Sequence, residues 1–600
     1  MSLTQPIHTE RHIRIICIGA GASGLLFAYK LQRSFKNFSL VIYEKNPEIA
    51  GTWFENRYPG YVHLAFPPLP STFATYPTSV WFATDESSCA CDVPSHNYTW
   101  SFEPKPDWSG TYASSAEIFS YFDAFARKYG LRQYCQVNHQ VVHAAWSADT
   151  KQHPHGGGYD VRVRDLKSGQ EFVDTCDILI NAGGILNSWR WPAIPGIEKY
   201  KGTLVHTANW DDGIVLEGRH VGLIGNGSSG IQVLPAILPQ VRKVTTFIRE
   251  PTWVSPVKGL EQHIFTEQEK RAFAEDSSHL TEYRRAIESG MNGQWAIFLQ
   301  HTEGQRSTRE YMTQQMKDKL RNPALEEALI PQWSVGCRRI TPGVGYLEAL
   351  GHEKTQVVYG NIDAISESGC VCDDGNEYPV DVLICATGFD TSFRPRFPII
   401  GPSGNNLQDD WQREPQSYLG IAAAGIPNYL TFLGPNSPVG NGPVLSAVEA
   451  QADYMMKLID RYQATNVRAF APRAEAVREF IEFKDELMKR TVWADGCRSW
   501  YKADVDGPVT GLWPGSTLHY IEAMSEVRMD DWEVEYKGNR FAWLGNGYSQ
   551  TEIDETADWA YYIRDHDDGE YHSRNKRLRI LNKSGTRKPE ASAFTVFPRI

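Results

Sequence analysis

Glu44 and Arg249 each close a short β-branched run that follows a glycine-rich turn, and together they define the chemistry this chain is equipped for. The first turn is Gly19-Ala20-Gly21-Ala22-Ser23-Gly24 and the second is Gly225-Asn226-Gly227-Ser228-Ser229-Gly230. Glycines at this spacing allow a tight turn and let backbone N–H groups approach a pyrophosphate at the positive end of a helix. An acid after the next strand accepts hydrogen bonds from a ribose 2′-OH, the part expected of Glu44. At the equivalent point of the second unit Arg249 would fork onto the oxygens of a 2′-phosphate, so the second dinucleotide is expected to be NADP rather than NAD. Taken alone, the same arginine is also what a plain surface charge after a strand looks like. Two dinucleotides are expected to meet in one enzyme.

These residues need strand, turn and helix in that order. Ile13–Ile18 reads as a buried parallel strand, 25–32 as the helix it feeds, and 39–43 as the next strand. The second unit repeats the plan with His220–Ile224, a helix beginning over 231–236, and a strand over 244–248. From 261 to 327 the sequence is rich in Glu, Lys, Arg, Gln and Ala, with Leu280, Tyr283 and Ile287 at helical spacing, which predicts a helical insertion. The β pattern returns at Thr355–Tyr359 and ends in a buried strand over 381–385, followed by Ala386-Thr387-Gly388, a turn able to close over a cofactor. Residues 429–435 read as a core strand ending in a turn, which should return the chain to the first domain.

Composition fits a large soluble enzyme. The chain has 600 residues, 41% of them hydrophobic, enough for two or three domains. A net charge of −12 argues against a nucleic-acid-binding surface, and the basic run Arg574, Lys576, Arg577, Arg579 reads as a solvated face. The polar start offers no secretory segment, and 418–434, with Pro427 and Asn428, fits strand-turn-strand better than a membrane span. The ten cysteines include Cys89/Cys91 and Cys370/Cys372, but no histidines stand at ligand spacing, so no metal is expected. Reduced thiols in a cytoplasmic compartment, and a monomer or weak oligomer, are the corresponding expectations.

Between the two nucleotide units lies Tyr200-Lys201-Gly202-Thr203-Leu204-Val205-His206-Thr207-Ala208-Asn209-Trp210-Asp211. His206 alone could be a satisfied linker histidine, and Trp210 alone a core residue. In this position the segment resembles F-x-G-x-x-x-H-x-x-x-W-[PD], the signature of the Baeyer–Villiger monooxygenases, with Tyr200 in place of the leading Phe. The stretch from Gly51 through Thr52, Trp53 and Tyr58 to Gly60 is similar to the family's second signature, whose aspartate should follow after three more residues. Here Cys89-Ala90-Cys91-Asp92 supplies it only after an interruption. Gly336-Cys337-Arg338-Arg339 resembles the segment carrying the family's active-site arginine, and Trp500 is similar to a tryptophan near the nicotinamide end of NADP, a looser match that a core tryptophan would also explain.

The resemblance, over roughly residues 10 to 540, implies that NADPH reduces bound FAD and that O₂ adds to it as a C4a-peroxide. Its anion then attacks a ketone to give an ester or lactone. It casts Arg339 as the fixed cation, Asp92 as its orienting partner, Arg338 as a group near the NADP phosphate, and Gly202, His206 and Trp210 as a hinge rather than proton carriers. The implied fold is α/β, with two Rossmann-like dinucleotide-binding domains and a helical insertion. FAD takes 1–190 and 391–545, NADP takes 191–390 with helices over about 255–335, and 546–600 is a polar extension.

The interruption, 61–88, has no Lys, Arg or Gly but four prolines and six aromatics. Its composition, and codons able to carry splice signals at both ends, suggest a translated intron whose removal restores the motif in frame; a genuine insertion over the active site is the other reading. Three further functions stay open. They are a flavin N- or S-monooxygenase, a disulfide reductase (poorer, since no C-x-x-C occurs), and a flavin-binding protein in which the insertion displaces Asp92 from Arg339.

Overall fold

The computed structural model describes residues 4–60, 89–254, 261–412, 414–437, 440–502, 504–554, 556–560 and 562–563. The expectations for 61–88, for the basic run near 574–579 and for the extension beyond 563 lie outside the described residues.

Two parallel five-stranded sheets organise the chain. In the first the order is Tyr429–Thr431, Ile178–Asn181, Ile13–Ile18, Phe38–Tyr43, Cys135–Gln136. Ile13, Ile15, Ile16 and Cys17 are all fully buried, as expected for a strand covered on both faces. One cover is the helix Ala22–Ser34, which packs against the long helix Val444–Ala464. The second sheet runs Thr355–Tyr359, Lys243–Ile248, His220–Ile224, Val382–Cys385, Thr203–His206. Each sheet carries its own hydrophobic core. In both, the glycine turn leaves a strand's carboxyl end near the point where chain order reverses, the place ligands occupy in open α/β sheets.

Helices Glu267–Glu275, Ser277–Asn292, Glu303–Leu320 and Pro323–Leu329 fill the stretch between the strands ending at Ile248 and beginning at Thr355. Each starts on a side chain that caps it: Thr266, Asp276, Thr302 and Asn322. Arg284 reaches from this group to the carbonyls of His96, Trp100 and Ser101, fastening a loop of the first domain.

The cysteines depart from expectation. Cys337 and Cys497 form a disulfide with Cα atoms 6.3 Å apart, while the other eight are free. Their separation of 160 positions gives no pairing signal in sequence; only the fold brings two buried thiols together. Among the described residues no helix is long and apolar enough to cross a membrane.

Candidate functional site

The two glycine turns are built alike. Gly19 has φ +98° and Gly225 φ +104°, and a Cβ there would lie 2.7 Å from the Ala182 carbonyl oxygen and 2.6 Å from that of Ala386 respectively. Gly24 and Gly230 let each helix sit on its own turn, since a Cβ would come within 2.0 Å of Gly19 O and 2.1 Å of Gly225 O. The helices that follow, Ala22–Ser34 and Ser228–Ile237, start at Gly21 and Gly227 with no capping side chain and no acidic residue in the first turn. In contrast to the capped helices of the insertion, these N-termini offer backbone donors and a positive dipole end to an anion. Ser23 is buried and Ser229 half-buried in those first turns.

Glu44 is buried beside the first turn, its Oε2 accepting the Ala20 N–H at 2.8 Å and its Oε1 the Asn46 N–H at 2.9 Å. Burial raises its pKa, and the two backbone donors oppose the rise. Each oxygen keeps capacity for a further donor such as a ribose hydroxyl.

A cavity of about 730 Å³ joins these parts. Gly19, Gly21, Ser23, Glu44, Thr52, Trp53 and Tyr58 line it from the first domain, and Ser228, Arg339 and Trp500 from the rest of the chain. Trp53 donates its indole N–H to the Tyr98 hydroxyl at 3.2 Å, and Tyr58 is buried. Asp92 lies on the same wall, paired with Arg339. Arg339 Nε donates to Oδ2 at 2.6 Å and Nη2 to Oδ1 at 2.8 Å, the fork-on-carboxylate geometry that fixes a guanidinium. The carboxylate beside it holds the Arg339 pKa above its ordinary value. The Arg339 side chain is 34% exposed and Asp92 16%, so of the two the cation is the more open to the cavity. Beyond the pair is a second pocket of about 100 Å³, walled by Tyr112, Met291, Phe298 and Asn441. Asp92, Arg339 and Tyr501 line both spaces.

Thr387, Gly388, Gly202, His206 and Trp210 do not line the cavity. His206 ends the edge strand Thr203–His206 and is stacked on Trp189, ring centroids 4.8 Å apart. Its Nδ1 accepts the Ala208 N–H at 3.1 Å, which assigns the proton to Nε2, 3.1 Å from the Thr387 hydroxyl. Burial lowers its pKa to about 4, so the ring is neutral near neutral pH. Gly388 turns with φ +81° next to this contact. Gly202 has no room for a side chain, since a Cβ would meet Tyr200 and the Asp381 carbonyl, and Trp210 is core.

Arg249 is exposed just past the strand Lys243–Ile248. Glu250, its neighbour, pairs with Arg338, and Arg498 stands 3.8 Å from the same carboxylate. Arg338 also lies over the Trp333 ring at 5.0 Å, and its pKa is lowered by burial. Three arginines around one glutamate leave a net positive corner at the end of the second unit's second strand.

Sequence reasoning missed Tyr501 and Gln232. Tyr501 is buried with its hydroxyl against Arg339, burial raising its pKa to about 12; its place directly after Trp500 was the available signal. Gln232 joins Ala90 to the second unit's helix, and a glutamine inside an apolar helical run was the hint.

A family model described as flavin-binding monooxygenase-like matches residues 12–261. The FAD-binding monooxygenase tazF of Aspergillus terreus is 36% identical to this chain, over 94% of it and 96% of the relative. A Baeyer-Villiger monooxygenase of Streptomyces coelicolor is 31% identical, over 88% of this chain and 93% of the relative. Among solved structures, cyclohexanone monooxygenase from Rhodococcus sp. Phi1 bound to NADP+ matches with a TM-score of 0.72 at 23% identity, covering 88% of this chain and 100% of that one. With a duplicated nucleotide unit, a cavity between the units and relatives at this level over nearly its whole length, the chain belongs to the class B flavoprotein monooxygenases, a family of FAD- and NADPH-dependent enzymes.

Proposed function

We propose that this monooxygenase inserts an oxygen atom from O₂ beside the carbonyl of a ketone, giving an ester or lactone. The observation that carries the reading is the Asp92–Arg339 pair standing between a cavity of dinucleotide-binding size and a smaller, largely apolar pocket.

The residues fit both dinucleotides. The N-terminus of the helix Ala22–Ser34 would hold the FAD pyrophosphate and Glu44 its ribose; the N-terminus of Ser228–Ile237 would hold the NADP pyrophosphate, with Arg249 and Arg338 at the 2′-phosphate end and Trp500 toward the nicotinamide. The flavin, when bound, supplies the redox and oxygen chemistry. Arg339 places a fixed positive charge where negative charge develops in a ketone oxygenation, and in a site that excludes water such a charge is worth far more than in solution. Asp92 fixes the plane of the guanidinium, and Tyr501 closes its flank. His206, neutral and bonded to Thr387, serves as a connection between domains rather than as an acid.

The test supplies FAD-loaded protein with NADPH, labelled O₂ and a panel of cyclic, linear and aryl ketones. An ester or lactone carrying one labelled oxygen is expected from at least one ketone. Oxygenation of amines or sulfides only, with every ketone returned unchanged, would overturn the reading.

A further inference from the structure

We propose that Gln232 is a positioning residue that fastens the Asp92 segment to the helix of the second dinucleotide unit, so that the ion pair is assembled on that helix. The proposal rests on the reading of Asp92 and Arg339 as the reacting pair.

Gln232 lies in the helix Ser228–Ile237 and is 2% exposed, among Ile231, Val233 and Leu234. A buried amide costs free energy unless each polar atom is satisfied. Here both are, by one residue of the other domain. The Ala90 N–H donates to Oε1 at 2.9 Å, and Nε2 donates to the Ala90 carbonyl at 3.0 Å. The side chain thus imitates the edge of a neighbouring strand. On its other side the Ala90 segment is bridged to Ser114, and the Cys91 N–H donates to the Ala113 carbonyl at 3.1 Å. Asp92 follows two residues after Ala90.

The same helix also reaches the other half of the pair. The hydroxyl of Ser228, its first residue, is 3.1 Å from that of Thr341, two residues after Arg339. One helix therefore touches, through one side chain each, the two segments that meet as carboxylate and guanidinium across 247 positions of chain. Its uncapped N-terminus is where the second dinucleotide's pyrophosphate would sit. A ligand that shifts this helix moves both segments together while Gln232 is present. Without Gln232, the Arg339 segment still follows through Thr341, whereas the backbone of the Asp92 segment loses its direct tie to the helix and keeps only the side-chain pair with Arg339.

Hydrogen–deuterium exchange on the full-length, FAD-loaded protein with and without NADP+ tests this directly, with no turnover needed. In the parent, NADP+ is expected to slow exchange over both 89–93 and 338–341. In Gln232→Leu it should slow only 338–341. In turnover, flavin bleaching by NADPH should stay within about threefold of the parent while oxygenated product per NADPH falls about tenfold and peroxide rises to match. Gln232→Glu supplies a check that a merely structural role would not pass. A protonated acid can still donate to the Ala90 carbonyl and a carboxylate cannot, so this variant should regain coupling as pH is lowered, the parent showing no such gain. Protection of both segments in Gln232→Leu with unchanged product yield would overturn the proposal; so would loss of NADP+ protection everywhere together with a fall in melting temperature. If the exchange pattern is found but no ketone is oxidised, Gln232 keeps its role and the ketone reading alone falls.

Discussion

Arg339 spends both of its bonds to Asp92 on the same carboxylate, Nε at 2.6 Å and Nη2 at 2.8 Å, and this sets the plane in which its guanidinium meets the cavity. Removing either partner should cost about the same, because a cation without its orienting carboxylate and a carboxylate without its cation are both misassembled. Arg339→Ala and Asp92→Ala should each lower oxygenated product formation by about 10²–10³ while NADPH still bleaches the flavin. The double variant should be little worse than either single one. Product yield and stopped-flow flavin reduction, measured in parallel, check this; fully multiplicative losses would show that the two residues act independently.

Arg249 lies next to a carboxylate already engaged by Arg338 and approached by Arg498, so its own charge remains directed outward at the strand end. A charge-assisted contact to a 2′-phosphate is worth about 1.5–3 kcal/mol. Arg249→Ala should therefore reduce the ratio of kcat/KM for NADPH over NADH by roughly ten- to hundredfold, with kcat for NADH little changed. An unchanged ratio would move the 2′-phosphate elsewhere.

The two nucleotide units were legible because their geometry leaves a mark in residue type: β-branched runs for buried strands, and glycine where φ is positive or a Cβ would strike a carbonyl. Asp92 and Arg339 were legible only through family resemblance, since nothing in local sequence says that positions 247 apart will meet. Tertiary partnerships without periodicity stayed hidden for the same reason. The Gln232 amide reads as a helix residue until Ala90 lies beside it, and the thiols of Cys337 and Cys497 carry no mutual signal along 160 residues.

The flanks of residues 61–88 contact one another directly. The Cys89 thiol donates to the Asn56 carbonyl at 3.0 Å, Tyr58 and Cys89 share one hydrophobic cluster, and Cys89 O accepts the Ser115 N–H at 2.7 Å. Asp92 is already paired with Arg339 when the full chain is present, which argues against displacement by the insertion. A chain lacking 61–88 is expected to bind FAD, melt within a few degrees of the parent and keep its oxygenation yield. Loss of flavin from the shortened chain would show that the segment is needed, and sequencing of the spliced transcript would decide whether it is coded out.

His206 contributes a pH dependence of definite sign. Its pKa is about 4 in the folded chain against an ordinary 6.5, burial being the cause, so folding favours the neutral ring. A lowered value means that the stabilisation is complete above about 6.5 and is lost as pH falls toward about 4. His206→Gln can keep a donor toward Thr387 but does not titrate. The gap in melting temperature between parent and variant should accordingly narrow as the solution is acidified over that range. A gap that stays constant would mean that His206 is not held neutral.

The disulfide ties the segment carrying Arg339 to the one carrying Trp500 and Tyr501, closing a loop of 160 residues. A cross-link of that span acts mainly on the unfolded chain, and its removal is expected to cost about 2–5 kcal/mol. It should also loosen Tyr501 against Arg339, because Cys497 is anchored only four positions earlier. Cys497→Ser should melt lower than the parent and be insensitive to reductant, whereas the parent should fall to the variant's value once reduced. Thiol titration in denaturant gives a direct count: eight reactive groups are expected from the ten cysteines before reduction. Ten before reduction, with a melting temperature that reductant does not move, would mean that the two thiols lie together unbonded. In that case Tyr501 would be held at Arg339 by its hydroxyl contact and packing, without a covalent tie.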